Sequence, residues 1–468
     1  MKKNYFLTAA VISAAAILLV QSAASFAQTI AGGGVHSLAS CSDSTVRAWG
    51  WNDEGQLGNG NTANSNVPVQ VSAFSGVTEI AGGYYHSLAL KNDATVWAWG
   101  KNNNGELGNG NNTNSSVAVQ VSALAGITAI AGGFGHSLAL KNDGTVWAWG
   151  LNNYGQLGNG NNTASNIPVQ VSALSGITAI GAGDNHSFAL KNDGTVWAWG
   201  RNNYGQLGNG TNTNSGVPVQ VSVLSGITEI TGGAVHSLAL KNDGTVWAWG
   251  RNLDGQLGNG TNTDSNVPVQ VSALSGITEI TGGAVHSFAL KNDGTVWAWG
   301  RNADGQLGNG TNTNSNVAVQ VSALSGITAI AGGSTHSLAL KNDGTVWAWG
   351  NNWYGQFGNG TNTSSNVPVQ VTLLCQMITG LEEENISSGI NIFPNPASKQ
   401  LTIDNGQRKI VNIEIYDVTG RAVYAEIHRT PNADREIFID VSKFPEGVYV
   451  VRIQTIDFNE TKKLIVAK

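Results

Sequence analysis

One stretch dominates this chain, namely HSLALKNDGTVWAWGLNNYGQLGNGNNTASNIPVQVSALSGITAIGAG at residues 136–183. It recurs with few changes and without insertions, and its copies place seven histidines at a spacing of 50 residues: His36, His86, His136, His186, His236, His286 and His336. A period of about 50 residues is typical of propellers and other repeat architectures, in which each repeat is one small structural unit. The chain is therefore predicted to be a repeat protein.

Each copy contains four short apolar runs separated by turn-forming residues. In the quoted copy they lie at residues 136–140, 145–149, 167–171 and 177–180. The first two are joined by Lys141-Asn142-Asp143-Gly144, and Asp-Gly supplies the positive φ that a tight hairpin requires. Four short strands per repeat form one propeller blade. We predict an all-β chain in which residues 28–375 form a seven-bladed β-propeller.

The ends of the repeat region predict how the ring closes. The run Ile-Ala-Gly-Gly, or a close variant, occurs six times between repeats and once at Thr29–Gly33, ahead of the first His. We expect this N-terminal strand to complete the last blade, which would leave no open sheet edge at the closure. The two cysteines, Cys41 and Cys375, are expected on the same rim of neighbouring terminal blades, which makes them candidates for a disulfide clasp.

The N-terminus and the overall charge bear on location and partners. Lys2 and Lys3 precede an apolar stretch and then small residues up to Ala27, which is typical of a secretory signal peptide at residues 1–27. The apolar core is shorter than the roughly 20 residues of a membrane span, so we expect no transmembrane span in the mature chain. The net charge of -6 offers no basic surface for a phosphate backbone, which argues against nucleic acid as a partner.

The repeated His and Trp residues have structural interpretations. Adjacent His and Ser on a strand point to opposite faces, so they cannot act as base and nucleophile for each other. No Asp, Glu or Cys recurs with each His at metal-ligand spacing, so we predict neither a metal nor another cofactor, and we interpret the His as a polar group at a blade edge. Trp pairs such as Trp147 and Trp149 share one face of a strand, and we expect both in the core.

The seven near-copies differ mainly at two places, the pair before each His and the segment after each Trp-Gly. Since strands alternate in direction, both places are expected on one rim, whereas the Lys-Asn-Asp-Gly and Leu-Ser-Gly turns of the other rim hardly vary. Aromatic residues among polar neighbours suit sugar rings or protein hot spots, although neutral variation of a solvent-exposed rim would look the same. The candidate binding residues are Trp51, Tyr84, Tyr85, Lys101, Phe134, Tyr154, Arg201, Tyr204, Arg251, Arg301, Trp353 and Tyr354.

The repeat stops at Cys375. Residues 376–389, which include Glu382, Glu383 and Glu384, have the composition of a polar linker. From Ile390 onward, short runs such as residues 412–417 and 447–453 alternate apolar and polar residues. This pattern predicts a small antiparallel β-sandwich of immunoglobulin-like type at residues 390–468.

Both parts resemble known families. HSLALKNDGTVWAWG followed by N-x-x-G-Q-L-G resembles the regulator of chromosome condensation repeat, over roughly residues 28–375, and implies a seven-bladed propeller. The tail resembles the type A sorting domain of the type IX secretion system, through Pro394, Asn395, Pro396, Gly420, Arg421, Gly447 and Tyr449. That resemblance implies export through the periplasm, the type IX machinery as partner of the tail, and a final place outside the cell or on the outer-membrane surface.

Three functions follow from these observations. We expect a secreted or cell-surface scaffold without catalytic activity that binds an extracellular protein or glycan. The resemblance to the propeller family raises the alternative of nucleotide exchange on a small GTPase. Family members with that activity use an inserted segment as a wedge, and the unbroken spacing of 50 residues leaves no room for such an insertion. A propeller lyase or hydrolase is the third alternative, although near-identical blades supply no singular acid, base or nucleophile.

Overall fold

A computed structural model describes residues 27–375 except 73, 223 and 373, and residues 390–467 except 405–408, 418–421, 433–435 and 456–458. The chain divides into two compact units, Met1–Gln376 and Met377–Lys468. Residues 1–26 of the predicted signal peptide and the predicted linker lie outside the described residues. Within the described ranges no helix is long and apolar enough to cross a membrane.

Seven four-stranded antiparallel sheets, numbered here as blades 1 to 7 along the chain, form the first unit. Their innermost strands are β1 Ala27–Gly32, β5 Val77–Gly82, β9 Ile127–Gly132, β13 Ile177–Ala182, β17 Ile227–Gly232, β21 Ile277–Gly282 and β25 Ile327–Gly332. The second strands are β2 His36–Cys41, β6 His86–Lys91, β10 His136–Lys141, β14 His186–Lys191, β18 His236–Lys241, β22 His286–Lys291 and β26 His336–Lys341.

The other two strands of each blade carry the Trp pair and the Val-Gln run. The third strands are β3 Val46–Gly50, β7 Val96–Gly100, β11 Val146–Gly150, β15 Val196–Gly200, β19 Val246–Gly250, β23 Val296–Gly300 and β27 Val346–Gly350. The outermost are β4 Ser65–Gln70, β8 Ser115–Gln120, β12 Ser165–Gln170, β16 Ser215–Gln220, β20 Ser265–Gln270, β24 Ser315–Gln320 and β28 Ser365–Gln370. The predicted seven-bladed propeller is confirmed.

Strand β1 corrects the predicted mode of closure. It pairs with β2, with Ile30 opposite Ala39, and is therefore the innermost strand of blade 1 and not an addition to blade 7. Every blade begins with the Ile-Ala-Gly-Gly run, and its four strands follow one another in sequence. The prediction was wrong because it began the repeat at His, which opens the second strand.

The ring closes through contacts between blades 7 and 1. Cys41, at the end of β2, and Cys375, beyond β28, form a disulfide with a Cα–Cα distance of 5.3 Å across a sequence separation of 334. Both cysteines are buried in a core that blades 1 and 7 share. The seam that the chain itself does not connect is thus joined covalently.

One set of hydrogen bonds recurs at every seam between neighbouring blades. The backbone carbonyl of Gln56 in blade 1 accepts hydrogen bonds from Trp99 Nε1 at 2.8 Å and Ser87 Oγ at 2.9 Å in blade 2. At the closing seam the carbonyl of Gln356 in blade 7 accepts the same bonds from Trp49 and Ser37 of blade 1. The loop after each third strand therefore fastens its blade to the next one.

The two Trp residues of a pair differ in burial. Trp149 and its equivalents are fully buried, whereas Trp147 is half-buried and has the Lys141 ammonium 5.9 Å from its ring centroid. The core prediction is correct for the second Trp of each pair and wrong for the first. The first Trp lies next to the hairpin at the rim, where one side of the ring reaches solvent.

The second unit consists of two antiparallel sheets, β29-β30-β33 and β32-β31-β34-β35. Its core contains buried residues of both sheets, including Leu401, Ile415 and Ile453. The predicted small β-sandwich is confirmed. The strands are β29 Asn391–Phe393, β30 Gln400–Asp404, β31 Ile410–Asp417, β32 Ala422–Asn432, β33 Glu436–Asp440, β34 Gly447–Thr455 and β35 Asn459–Val466.

Two residues of the predicted sorting motif make side-chain hydrogen bonds within this sandwich. The Asn395 side-chain oxygen accepts a hydrogen bond from the Ile465 backbone N–H at 2.8 Å. The buried Tyr449 donates its hydroxyl to the Pro445 carbonyl at 2.8 Å. Of the other motif residues, Gly420 and Arg421 lie outside the described residues.

Candidate functional site

The two variable places of the repeat lie side by side on one rim. The Lys101 backbone N–H donates to the Tyr85 carbonyl at 2.9 Å, and the Trp51 N–H donates to the Val35 carbonyl at 3.0 Å. The equivalent bond is present in all seven blades. We call this face, formed by residues 34–35 and 51–54 and their equivalents, the upper rim. The Lys-Asn-Asp-Gly hairpins lie at the other end of the same strands and form the lower rim.

Five aromatic residues of the upper rim, Trp51, Tyr84, Tyr85, Phe134 and Tyr354, form one contiguous group, the aromatic cluster. The ring centroids of Tyr84 lie 4.4 Å from Tyr85 and 4.8 Å from Phe134. Trp51 lies 5.1 Å from Tyr85 and 6.2 Å from Tyr354. The cluster therefore extends over blades 7, 1, 2 and 3, and Tyr354 is 41% exposed.

The aromatic cluster is an uncharged and partly solvent-exposed surface. Burial raises the pKa of Tyr85, and the neighbouring Tyr84 adds to the shift, so the hydroxyl stays protonated and can donate a hydrogen bond. The Lys101 ammonium lies 4.8 Å from the Tyr85 ring centroid. A cation held over a ring in this way is a favourable contact that keeps the lysine at the edge of the cluster.

Four further predicted residues, Tyr154, Arg201, Tyr204 and Arg251, alternate along the rim of blades 3 to 5. The guanidinium carbon of Arg201 lies 5.2 Å from the Tyr154 centroid and 5.8 Å from the Tyr204 centroid. That of Arg251 lies 5.7 Å from the same Tyr204 ring. We call this arrangement the tyrosine–arginine ladder; its four side chains are half-buried.

Two predicted residues stand apart from both groups. Arg301 and Trp353 lie on the upper rim and are exposed, Trp353 by 69%. Within the described part of the chain neither makes a ring contact with another aromatic residue or cation. The structure thus places all twelve candidate residues on one rim and brings ten of them into contact with another member.

The axis of the ring holds only a small cavity, of about 80 Å³, lined mostly by glycines together with Tyr84, Asp184 and Ser334. The inner strands approach closely, since a Cβ on Gly82 would lie 2.5 Å from the Gly32 carbonyl oxygen. Burial raises the pKa of Asp184 to about 6, against the opposing effect of Arg201. Ligand pockets usually measure roughly 300–1,000 Å³, so the cavity favours a ligand that binds across the rim over one that enters the axis.

The repeated His and Ser form contacts that spacing alone did not show. The Nε2 atom of each His lies 2.8–3.4 Å from the Oγ atom of the Ser in the next blade, as for His36 with Ser87. All of these residues are fully buried, and burial lowers the pKa of His36 to about 3. The His is therefore a neutral group at the seam between two blades. The sequence analysis had interpreted it as a polar group at a blade edge.

Three acidic residues on the innermost strands were missed by the sequence analysis. Glu79, Glu229 and Glu279 occupy the third position of an innermost strand, and each carboxylate accepts a hydrogen bond from a backbone N–H of the next blade, at 3.1–3.4 Å. Burial raises the pKa of Glu79 and Glu279 to about 7, and burial with the nearby Glu279 raises that of Glu229 to about 8. Aligning the repeats would have found them, because other blades have Ala or Thr at this position.

The described residues contain no group of three or more His, Cys, Asp or Glu that could hold a metal ion. The buried His side chains meet Ser across the seams, and the Glu side chains of the innermost strands meet backbone N–H groups. On the upper rim, the arrangement offers aromatic faces and guanidinium groups.

Comparison with known families identifies both units. A model described as the RCC1-like domain matches residues 14–315, and models of the regulator of chromosome condensation (RCC1) repeat match residues 293–340, 343–380 and 327–356. These matches agree with the class that the fold defines, a propeller of seven repeated blades. The chain belongs to the RCC1-like domain family. Residues 391–467 match the secretion system C-terminal sorting domain, which supports a secreted propeller protein.

Solved structures show the same fold at low identity. Human WBSCR16 is 24% identical, with a TM-score of 0.63, and the match covers 70% of this chain and 94% of that one. Prp20p from Saccharomyces cerevisiae, in a structure described with its binding properties to Gsp1p and histones, is 22% identical, with a TM-score of 0.64 and coverage of 78% and 89%. No curated protein sequence matches the chain.

Proposed function

We propose that this protein is a secreted scaffold without catalytic activity that recognises an extracellular protein or glycan through its upper rim. The observation that carries the proposal is the aromatic cluster. Its five members come from four blades, whereas blades 5 and 6 have no aromatic residue at any of these positions. Convergence of rings from separate blades makes a surface larger than any one blade could offer.

The backbone explains why this rim is free to vary. Residues at the position of Trp51 are fixed through their backbone N–H, which donates to the preceding loop whatever the side chain. The side chains are therefore not needed for the repeat to fold. Half-buried aromatic residues among polar neighbours match the composition of protein hot spots and of sugar-binding faces.

The proposal of a non-catalytic role is supported by the position of the His–Ser pairs. A base within hydrogen-bond distance of a hydroxyl is the arrangement that nucleophilic catalysis uses. Here both partners are fully buried, and burial holds the pKa of His186 at about 3, so a substrate cannot reach the pair. The seven pairs instead act as cross-blade hydrogen bonds.

Nucleotide exchange on a small GTPase has weaker support. The likeness to Prp20p, at 22% identity, concerns the fold. Strand lengths and spacings are the same from blade to blade among the described residues, with no inserted segment that could act as a wedge.

For export, we propose that the signal peptide brings the chain to the periplasm and that the type IX machinery recognises the C-terminal unit. Deleting residues 390–468 should then leave the propeller in the periplasm, as measured by immunoblotting of periplasmic and culture fractions. An internal deletion of residues 376–389 serves as the control, and the protein that carries it should still be secreted. Undiminished secretion of the propeller without residues 390–468 would show that the sorting assignment is wrong.

The binding proposal is tested by replacing Tyr84, Tyr85, Trp353 and Tyr354 with Ala in the full mature chain. Wild-type and variant proteins are probed on arrays of glycans and bacterial surface proteins, with folding checked by circular dichroism and thermal melting. We expect the variant to lose the ligand that the wild type retains. The control replaces the half-buried lower-rim residues Trp197 and Trp247 with Ala and should keep binding. Equal affinity of the upper-rim variant and wild type would exclude this rim as the site.

A further inference from the structure

We propose that the tyrosine–arginine ladder binds an anionic group, and that the ligand of the upper rim is an acidic polysaccharide whose carboxylates or sulfates occupy the ladder. This inference rests on the proposed binding function and narrows its ligand. Four observations carry it: the shared ring between two arginines, the missing ion pairs, the contrast with the lower rim, and the continuity with the aromatic cluster.

Two arginines flank one tyrosine ring. The guanidinium carbons of Arg201 and Arg251 lie 5.8 and 5.7 Å from the centroid of Tyr204. The two positive charges are therefore neighbours on the rim and repel each other. An anion bound beside Tyr204 would attract both guanidinium groups. It would also offset their mutual repulsion, which strengthens its binding.

No internal carboxylate neutralises these arginines. In the described part of the chain no carboxylate oxygen lies within 4.0 Å of a nitrogen of Arg201, Arg251 or Arg301. Asp184 attracts Arg201 only from beyond that distance. The Nε atoms of Arg201 and Arg251 are buried and have no hydrogen-bond partner within the described residues. Because these Nε atoms are buried, the donors that a ligand on the rim can reach are the terminal nitrogens of the two guanidinium groups.

The carboxylates of the neighbouring blades have other partners. The Asp254 carboxylate accepts a hydrogen bond from the Asn314 side chain at 3.2 Å, and that of Asp304 accepts one from the Asn351 side chain at 3.3 Å. Asp264 accepts one from the Asn252 backbone N–H at 2.7 Å. Amide donors, and not guanidinium groups, hold these acids in place.

The lower rim shows what paired cations look like in the same blades. Lys191 lies 3.9 Å from Asp193, and Lys241 lies 3.4 Å from Asp243. The repeat itself thus supplies each lysine with a carboxylate two residues further along the chain. The ladder arginines belong to the variable positions, where the repeat supplies none.

A guanidinium group over a tyrosine ring is well suited to a carboxylate or sulfate. It is planar, permanently charged, and able to donate two parallel hydrogen bonds to two oxygens of one anion. Contact with a ring restricts the tilt of that plane and leaves its edge free. Tyr154 and Tyr204, on either side of Arg201, provide this support.

A polysaccharide fits the surface because the ladder continues into the aromatic cluster. Both meet in blade 3, where the Leu151 N–H donates to the Gly135 carbonyl and so joins the segment of Tyr154 to that of Phe134. One surface therefore offers flat aromatic faces on blades 7, 1, 2 and 3, and groups that donate hydrogen bonds to an anion on blades 3 to 5. Sugar rings with acidic substituents carry both complementary features in every residue.

The experiment compares two pairs of polysaccharides that differ in charge, polygalacturonate with its methyl ester and dextran sulfate with dextran, and includes polyglutamate as an acidic polypeptide. Affinity for the full mature chain is measured by calorimetry at low and moderate salt. The variants are Arg201→Gln with Arg251→Gln, and Arg201→Lys with Arg251→Lys, which keeps the charge but loses the planar pair of donors. Lys191→Gln with Lys241→Gln is the matched control, with the same charge change in the same blades on the lower rim.

We expect wild-type protein to bind a charged polymer at least about tenfold more tightly than its neutral partner, with affinity falling as salt rises. The Gln pair should lose at least about tenfold in that affinity, the Lys pair an intermediate factor, and the control less than about twofold. Thermal melting of all variants separates loss of the site from loss of the fold.

Four outcomes would contradict the inference. If the variant with both Gln substitutions binds the charged polymer as tightly as wild type, the ladder is not the binding site. Equal binding of charged and neutral polymers that depends on the aromatic cluster would remove the anion and leave the proposed function intact. Binding of polyglutamate without binding of any polysaccharide would show that the partner is an acidic protein. Binding of no polymer or surface protein at all would overturn both proposals.

Discussion

The seams between blades and the upper rim are built from the same repeat, yet they treat side chains in opposite ways. At a seam the Trp99 indole and the Ser87 hydroxyl both bond to one carbonyl of the preceding blade, and this pattern is the same all around the ring. On the upper rim the Trp51 position is held by its backbone N–H, and apart from the invariant buried Asn52 and its equivalents the side chains differ from blade to blade. Conserving the fold therefore leaves most side chains of one face free to vary.

The largest effect is expected from breaking a seam. Trp199→Ala removes a fully buried ring and its hydrogen bond to the Gln156 carbonyl, and should lower the free energy of unfolding by about 3–5 kcal/mol. Trp197→Ala, two residues away and half-buried at the lower rim, is the matched control and should cost clearly less. Chemical denaturation measures both. Equal losses would mean that the seam bond and full burial contribute little.

The closing seam should also depend strongly on its disulfide. Replacing both Cys41 and Cys375 with Ser removes the link between blades 1 and 7 and should lower the free energy of unfolding by about 2–5 kcal/mol. The hydrogen bonds of Gln356 to Ser37 and Trp49 remain, so the variant should still fold. Melting with and without reductant tests this. A wild-type protein whose melting is unaffected by reductant would contradict it.

A smaller, pH-dependent effect should separate blade 5 from its neighbour. The pKa of Glu229 is raised to about 8 in the folded protein, so between about pH 4.5 and 8 the folded state holds a proton that the unfolded state has released. Stability from this group is full below about pH 4.5 and falls as pH rises through about 8. Glu229→Gln keeps an oxygen to accept the Ile280 N–H bond and removes the charge.

We therefore expect Glu229→Gln to match wild type near pH 4 and to be more stable than wild type at pH 8.5, by on the order of 1–3 kcal/mol. Denaturation curves across this range provide the measurement. Blade 4 has Ala179 at the equivalent position, so Ala179→Gln is the control and should add no pH dependence. Parallel stability curves for wild type and Glu229→Gln would contradict the proposed burial of the carboxyl.

The smallest effect on stability is expected at the upper rim. Trp353→Ala and Tyr354→Ala remove exposed rings and should change the free energy of unfolding by no more than about 0.5 kcal/mol each, even where binding is lost. Trp349→Ala, a buried residue of the same blade, gives the scale for a seam position. A loss at Trp353 comparable to that at Trp349 would show that the rim is part of the fold.

Sequence periodicity was sufficient to predict the blades, the number of strands and the common rim of the variable residues, because these depend on order within one repeat. Contacts across a seam were harder to predict. His36 meets Ser87, one residue beyond a full period, and neither spacing nor strand alternation indicates that approach. The burial of Glu229 depends on the close packing of inner strands around the axis, which follows from the glycines of all seven blades together.

The aromatic cluster was predicted as a set of rim positions, and the structure adds which of them touch. Phe134 and Tyr84 come from different blades and lie 50 residues apart, so only ring geometry brings them together. Trp353, in contrast, is exposed and has no ring contact with another described aromatic residue. Sequence showed both as variable rim positions and did not show which of the two faces a neighbouring blade.

The disulfide between Cys41 and Cys375 also determines how the propeller bears mechanical load. Tension applied between residue 27 and the C-terminal unit passes from Cys375 directly to Cys41, so the chain between these two cysteines carries none of it. While this bond is intact, such tension cannot separate blade 7 from the ring. The other blades then cannot unfold one after another. If the protein is held at a cell surface by its tail, the upper rim proposed to bind the ligand would stay intact under shear until the sulfur–sulfur bond is reduced.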